Sequence, residues 1–270
     1  SYPMFLVAFF VLALGLGCLE TGANPYASAL GPSETSERRL NLSQAFNGFG
    51  QFLGPLTGGL VVLGGNTAGA SGQAGPESLE PVKLVYVAIA ALVVLLLIFI
   101  ALTKLPDLRK QEQEEDSTES AGKRSLWAHK EFAFGVVGIF FYMGAQVGVG
   151  ALCINLALET WPGAEAQTGA FFLSTGMFCL LVGRFIGTGL MSKFKPALLL
   201  MIYGVAACAL SAVVCFGFEK VSMIALMGIY FFMSIMFPTI FAMGIKNLGS
   251  RTEMGSLLMI MAVVGRDIFP

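Results

Sequence analysis

Val82-Lys-Leu-Val-Tyr-Val-Ala-Ile-Ala-Ala-Leu-Val-Val-Leu-Leu-Leu-Ile-Phe-Ile-Ala-Leu-Thr103 decides the class of fold. From Leu84 to Leu102 it carries no charge, and a helix needs about 20 apolar residues to cross a hydrocarbon core of about 30 Å. The same ruler, moved outward, finds seven more candidate spans. They are Pro3 to Thr21, Leu40 to Gly64, Phe132 to Leu158, Gln167 to Leu190, Ala197 to Phe218, Val221 to Gly244 and a shorter Met254 to Pro270. Helices are expected throughout, because every backbone polar group in lipid must find its partner within the protein. The second span is the most polar and glycine-rich, and it needs a polar interior to face. The fold class is therefore an all-α polytopic membrane protein.

Composition agrees. Of 270 residues, 56% are hydrophobic and 12% charged, where a soluble domain carries about a quarter charged residues. Small residues let helices approach closely in lipid, which suits the 33 glycines. A net charge of −1 gives no support for a nucleic-acid partner. Cys18, Cys153, Cys179, Cys208 and Cys215 all lie in apolar runs, so they read as packing residues rather than a disulfide framework or metal site. The single His129 sits in a polar connection. No cofactor, no metal and no enzymatic centre are expected, since the spans carry no paired carboxylates and no Ser-His or Ser-Lys arrangement.

Lys and Arg in the connections set the orientation. Arg38 and Arg39 follow the first span, and Gly65 to Glu80 after the second contains neither type. Lys104, Arg109, Lys110, Lys123, Arg124 and Lys130 follow the third, and Glu159 to Ala166 again has none. Lys193 and Lys195 come next, then Lys220 alone, then Lys246 and Arg251. Rich and poor connections alternate, which places the rich side in the cytoplasm and the start of the first span outside. With no Met at position 1 and no signal-peptide pattern, the chain reads as an internal piece of a longer protein. Arg266 and Asp267 fall inside the last, short span. A charge at mid-bilayer costs at least about 2.5–3.5 kcal/mol on insertion scales, so a paired Arg–Asp or an altered helix end are both open readings.

The stretch from Lys104 to Lys130 mixes acids and bases and has the composition of a solvated tether. It divides the chain into residues 1–103 with three spans, a linker at 104–130, and residues 131–270 with five spans.

Candidate chemistry starts at Glu20, which closes the first span. It lies about 24 Å along a helix from Met4 at 1.5 Å per residue. There it either reaches the interface or faces a wet cavity in which it can bind a proton. Gly22 and Asn24-Pro25 follow and are expected to weaken the helix. On the second span, Gln44, Asn47 and Gln51 recur at i, i+3 and i+7, which puts three amides on one helical face. Uncharged amides both donate and accept, as sugar hydroxyls require. Interhelical hydrogen bonding is the rival explanation. Tyr142 and Gln146, at i and i+4, pair an aromatic face with an amide, although simple packing accounts for them equally well. Gly183-Arg184-Phe-Ile-Gly187 is either a snorkelling arginine beside a close glycine contact or a hinge whose arginine pairs with a loop or helix end.

These stretches resemble a known family. GLGCLETGANPY (Gly15 to Tyr26), RLNLSQAFNGFG (Arg39 to Gly50), YMGAQ (Tyr142 to Gln146), GRFIGT (Gly183 to Thr188) and FPTIFAMGIKNLG (Phe237 to Gly249) run in order through most of the chain. They resemble the major facilitator superfamily, and within it the fucose–galactose–glucose:proton symporters. The acidic residue of the LET-ANP stretch favours the fucose permease group over glucose/galactose relatives. The resemblance implies a twelve-helix, two-bundle transporter of a bacterial inner membrane working by alternating access, with the present spans as helices four to eleven. It implies a monosaccharide, L-fucose or a related hexose, and a proton as partners, a monomer, and no reaction catalysed. It also implies that Glu20 is the proton-coupling carboxylate and that Asn47 is the cavity-facing amide. Gln44, Gln51, Tyr142, Gln146 and Asn24 stand as candidate sugar contacts, and Gly183, Arg184 and Gly187 as a gating motif. The helix-one aspartate of the family lies in a region not matched here, and Arg266-Asp267 stands where the family continues glycine-rich. An exporter of another small solute and a non-transporting sugar sensor are the competing functions.

Overall fold

The structure, a computed structural model, describes residues 2–58, 60, 80–104, 126–160, 166–217, 219–246 and 248–268. The apolar runs fold as helices: α1 (Tyr2–Ala29), α2 (Ser36–Thr57), α3 (Glu80–Leu102), α4 (Lys130–Thr160), α5 (Ala166–Leu190) and α6 (Pro196–Cys215). They continue as α7 (Glu219–Met233), α8 (Met236–Ile245), α9 (Thr252–Met261) and α10 (Gly265–Ile268). Among the described residues there is no strand. Six stretches among the described residues are long and apolar enough to cross a bilayer: Tyr2–Ala29, Lys83–Leu102, Lys130–Thr160, Thr168–Leu190, Pro196–Cys215 and Lys220–Ile245. α2 falls short of that measure because its amides and glycines dilute it, and α9–α10 because it is divided. Residues 61–79, 105–125 and 161–165 lie outside the described set, and with them most of the linker and the far end of the second span.

Three expectations need correction. The first helix does not stop at Thr21 but runs on to Ala29, through Asn24-Pro25. The physical reason is a clamp from α2. The Arg39 guanidinium donates from Nε to the Ala27 carbonyl at 3.3 Å and from Nη1 to the Pro32 carbonyl at 2.8 Å. Its Nη2 reaches the Gly31 carbonyl at 3.1 Å and also the Ser28 carbonyl. A cation on the orphan carbonyls of a helix C-terminus is favoured by both hydrogen bonding and the helix dipole. That clamp outweighs the bond lost at Pro25.

The seventh span is not one helix either. It breaks at Ser234-Ile235 between α7 and α8. Pro238 has no N–H to give to the carbonyl four residues before it, which is that of Ser234. The eighth span likewise divides, into α9, a 3₁₀ turn over Ala262–Val264 and the short α10.

Exposed apolar faces and buried core are cleanly separated. The apolar helix α3 is exposed along almost its entire described length, as an apolar face can be against lipid or against further membrane helices. The core forms where α2, α4, α8 and α9 meet, around Leu40, Phe132, Ile139, Phe241 and Met259. A second cluster, Tyr142, Leu180, Met223, Leu226 and Tyr230, joins α4, α5 and α7. Helices α4 and α8 cross at two glycines: a Cβ on Gly135 would stand 3.3 Å from the Cα of Gly244. α2 lies along α5 more extensively than any other pair of elements meets. The N-terminal helices are thereby locked onto the C-terminal set.

Candidate functional site

The amide face of α2 is a connected chain of hydrogen bonds. Gln51 Nε2 donates to Asn47 Oδ1 at 3.4 Å, and Asn47 Nδ2 donates to Gln44 Oε1 at 3.3 Å. Gln44 Nε2 then donates to Asn24 Oδ1 on α1 at 2.6 Å. Helical spacing puts the three α2 amides on one face, and the short bond to Asn24 carries the chain across to α1. Asn47 is exposed, Gln44 and Gln51 are half-buried, and Asn24 is buried. The structure therefore brings together four of the residues singled out in the sequence.

Glu20 lies one helical turn before Asn24 on the same face of α1. It is half-buried and lines a cleft of about 230 Å³ between α1 and the α9–α10 segment, together with Gly17, Arg266 and Asp267. The two charges of the last segment pair with each other, Arg266 Nε standing 3.6 Å from Asp267 Oδ1. Both are partly exposed. Glu20 thus has a cleft to face rather than a wholly apolar wall.

Arg184 does not snorkel. It is 2% exposed. Its Nε donates to the Ser234 carbonyl at 2.7 Å and its Nη1 to the Gln44 carbonyl at 2.6 Å. The first acceptor is the carbonyl stripped of its helical partner by Pro238, and the second belongs to the N-terminal set of helices. One guanidinium therefore ties three helical elements together, with the fork geometry that a lysine lacks. Gly183 and Gly187 make the approach possible. A Cβ at Gly183 would lie 2.5 Å from the Phe231 carbonyl oxygen, and Gly187 packs against Ile235. Tyr142 serves the same break: its hydroxyl donates to the Met233 carbonyl at 2.9 Å, and its ring is buried. Gln146, one turn further on α4, is half-buried.

A second polar stripe on α2 escaped the reading of the sequence. Glu37, Asn41 and the Gln44 carbonyl follow one another along the face that meets α5 and α8. Lys246 Nζ stands 2.9 Å from Glu37 Oε1, and Asn41 Nδ2 donates to Thr239 Oγ1 at 3.0 Å. Higher up, Ser174 Oγ donates to the Phe52 carbonyl at 2.9 Å. The signal was present as i, i+4, i+7 spacing from residue 37, yet nothing local distinguishes a face that meets other helices from one that lines a cavity. These contacts also gather the Lys- and Arg-rich connections at one end of the bundle, since Glu37 meets Lys246 and Asn41 lies near Met191.

A bundle of long apolar helices, tied across its two sets and carrying a row of uncharged amides one turn from a carboxylate, has the architecture of a polytopic membrane protein. The chain belongs to the Major Facilitator Superfamily, whose family model matches residues 1–270, and it is a multi-pass protein of a bacterial inner membrane. It is similar to the L-fucose-proton symporter of Escherichia coli K12, with 37% identity over 99% of this chain and 64% of that protein. A putative glucose/galactose transporter of Helicobacter pylori 26695 is 36% identical over 100% of the chain and 65% of its own length. The glucose/galactose transporter of Brucella abortus is 34% identical over 100% and 64%. The chain thus spans about two thirds of the length of these relatives, 64–65%. A crystal structure of the transporter FucP in the outward conformation superposes with a TM-score of 0.81 at 36% identity, covering 100% of this chain and 68% of that one.

Proposed function

We propose that the whole protein carries a monosaccharide, L-fucose foremost, into the cell in symport with a proton by alternating access. The observation that carries this reading is the amide chain from Gln51 through Asn47 and Gln44 to Asn24, ending one turn from Glu20. A row of uncharged donors and acceptors matches the hydroxyls of a sugar, and the Glu20 carboxylate beside it can exchange a proton. The likeness to the Escherichia coli L-fucose-proton symporter supports the choice of solute, and the likeness to glucose/galactose transporters makes those hexoses the competitors to test.

In this reading a proton from outside neutralises Glu20, which removes the cost of enclosing a charge. Asn24, Gln44, Asn47 and Gln51 then exchange bonds with one another for bonds to the sugar, and Gln146 adds a contact from α4. Arg184, held between Gly183 and Gly187, releases the Gln44 carbonyl as the basic, cytoplasmic end opens. Tyr142 holds α4 to the break between α7 and α8. Residues 1–103 and 131–270 act as parts of two bundles rocking about this site, joined by the linker at 104–130, in a monomer.

The test is uptake into proteoliposomes by the full-length protein. L-fucose should accumulate against its gradient when the outside is acidified, and unlabelled L-fucose should compete more strongly than D-glucose or D-galactose. Accumulation that ignores the proton gradient would overturn the coupling, and stronger competition by the hexoses would reassign the sugar.

A further inference from the structure

Three charged side chains share one cleft. Glu20 enters it from α1, Arg266 and Asp267 enter it from α10, and apolar residues such as Leu16, Ile260 and Val263 make up the rest of its wall. The Arg266 charge acts on the Glu20 carboxyl across this space. The place of α10 is fixed from behind by Gly265, where a Cβ would collide with the Phe140 carbonyl of α4. A Cβ at Gly17, one turn before Glu20, would meet nothing within 4 Å, so α1 stands clear of the opposite wall at that level.

The Arg266–Asp267 pair is loose. Its separation of 3.6 Å exceeds the about 2.7–2.9 Å of a charge-assisted hydrogen bond, and the two side chains are 43% and 65% exposed. Such a pair gains little and does not hold a guanidinium in one geometry, so Arg266 can face either carboxylate. Two carboxylates and one guanidinium leave one negative charge over when all three are ionised. Once Glu20 carries a proton, none is left. A net charge is costly to enclose within a membrane, so the cleft suits closure with the proton in place. Charges on the other elements packed against α1 are engaged or remote. On α2, Arg39 is committed to the carbonyls at the end of α1, Glu37 is held by Lys246 from the end of α8, and Arg38 is exposed. Glu253 lies in the first turn of α9, at the opposite end of that helix from the residues lining the cleft.

We propose that Arg266 is the counter-charge of the unprotonated Glu20 carboxylate, shared with Asp267, and that it thereby sets the pH at which the carrier takes up its proton. The proposal rests on Glu20 being the coupling carboxyl. With the proton off, the guanidinium stands between the two carboxylates. When water delivers a proton to Glu20, the guanidinium turns to Asp267 alone and the cleft is neutral. On release the proton returns to water, and Arg266 faces the restored Glu20 charge again. Arg266 is a positioning residue, acting through Glu20.

Initial rates of proton-driven L-fucose uptake by the full-length protein in proteoliposomes, taken across external pH at a fixed pH difference, test this. A neighbouring cation favours the ionised carboxylate, so Arg266→Gln should raise the half-maximal pH by about one unit, the low end for such a neighbour. Asp267→Asn removes the competing anion and should lower it. Arg266→Lys keeps the charge and should leave the midpoint near its original value. A merely structural pair would lower rates at every pH without moving the midpoint. Midpoints that stay in place, or that move in the same direction in Arg266→Gln and Asp267→Asn, overturn the proposal. Should Arg266→Gln fail to fold, Asp267→Asn decides alone, and an unmoved or raised midpoint overturns it. Glu20→Gln separates the two levels. If that variant still accumulates sugar in response to pH, the coupling reading fails; if it does not, while Arg266→Gln keeps the original midpoint, only the role of Arg266 fails.

Discussion

Arg184 Nε donates to the Ser234 carbonyl at 2.7 Å, the carbonyl that Pro238 leaves without a helical donor. A proline thus creates an acceptor, and an arginine on another helix fills it. The same guanidinium reaches the Gln44 carbonyl, so the break between α7 and α8 is joined to the first set of helices by one side chain. In the proposed cycle the second bond parts and the first persists.

That relationship sets the first expectation. Arg184→Ala strands the buried Ser234 carbonyl and frees α2 from its tie at Gln44, and an unsatisfied buried group costs about 1–3 kcal/mol. The detergent-solubilised protein should unfold at markedly lower temperature. Arg184→Lys should recover only part of the loss, because an ammonium lacks the planar fork.

Pro238→Ala supplies the missing N–H, which then competes with Arg184 for the Ser234 carbonyl. In that background Arg184→Ala should cost less than in the unmodified chain. A double-mutant cycle on unfolding free energy should return a coupling of about 0.5–3 kcal/mol, as neighbouring sites sharing a partner do. Strict additivity would mean that the two residues do not share that acceptor.

Glycine positions separate into close and open. Gly183→Ala drives a Cβ to 2.5 Å from the Phe231 carbonyl oxygen, whereas a Cβ at Gly189 meets nothing within 4 Å. Overpacking of this kind costs about 1–3 kcal/mol, while alanine for glycine in an open helical position gains up to about 1 kcal/mol. Thermal midpoints of the two variants should therefore move in opposite directions.

The buried Glu37 carboxylate depends on Lys246. Removing one partner of a buried ion pair costs about 3–5 kcal/mol, whereas replacing both costs far less. Lys246→Met should destabilise strongly, and Glu37→Gln combined with Lys246→Met should recover most of the loss, as read by thermal unfolding in detergent.

The sequence disclosed the bundle more fully than the contacts within it. Long apolar runs report spans because the bilayer imposes a length, and α3 is the plainest case. The Gln44–Asn47–Gln51 face was legible for the same reason, since helical pitch converts spacing into a shared surface. The α1 extension past Pro25 was not, because Arg39 holds it from another helix. For Arg184 the sequence left an interfacial arginine and one paired with a loop or helix end both open. Its burial follows from Pro238, 54 residues further along, and a freed carbonyl has no local signature on the chain that will fill it. The Glu37–Lys246 and Asn41–Thr239 rungs span 209 and 198 residues, and only the packed structure brings such pairs together.

The central claim is that Glu20 couples sugar movement to a proton. The most direct measurement compares Glu20→Gln with the unmodified full-length protein for two activities in the same proteoliposomes: L-fucose uptake driven by an acid outside, and L-fucose exchange between preloaded sides. The account expects the glutamine variant to lose proton-driven accumulation while exchange continues. Accumulation by Glu20→Gln with unchanged dependence on external pH would contradict it.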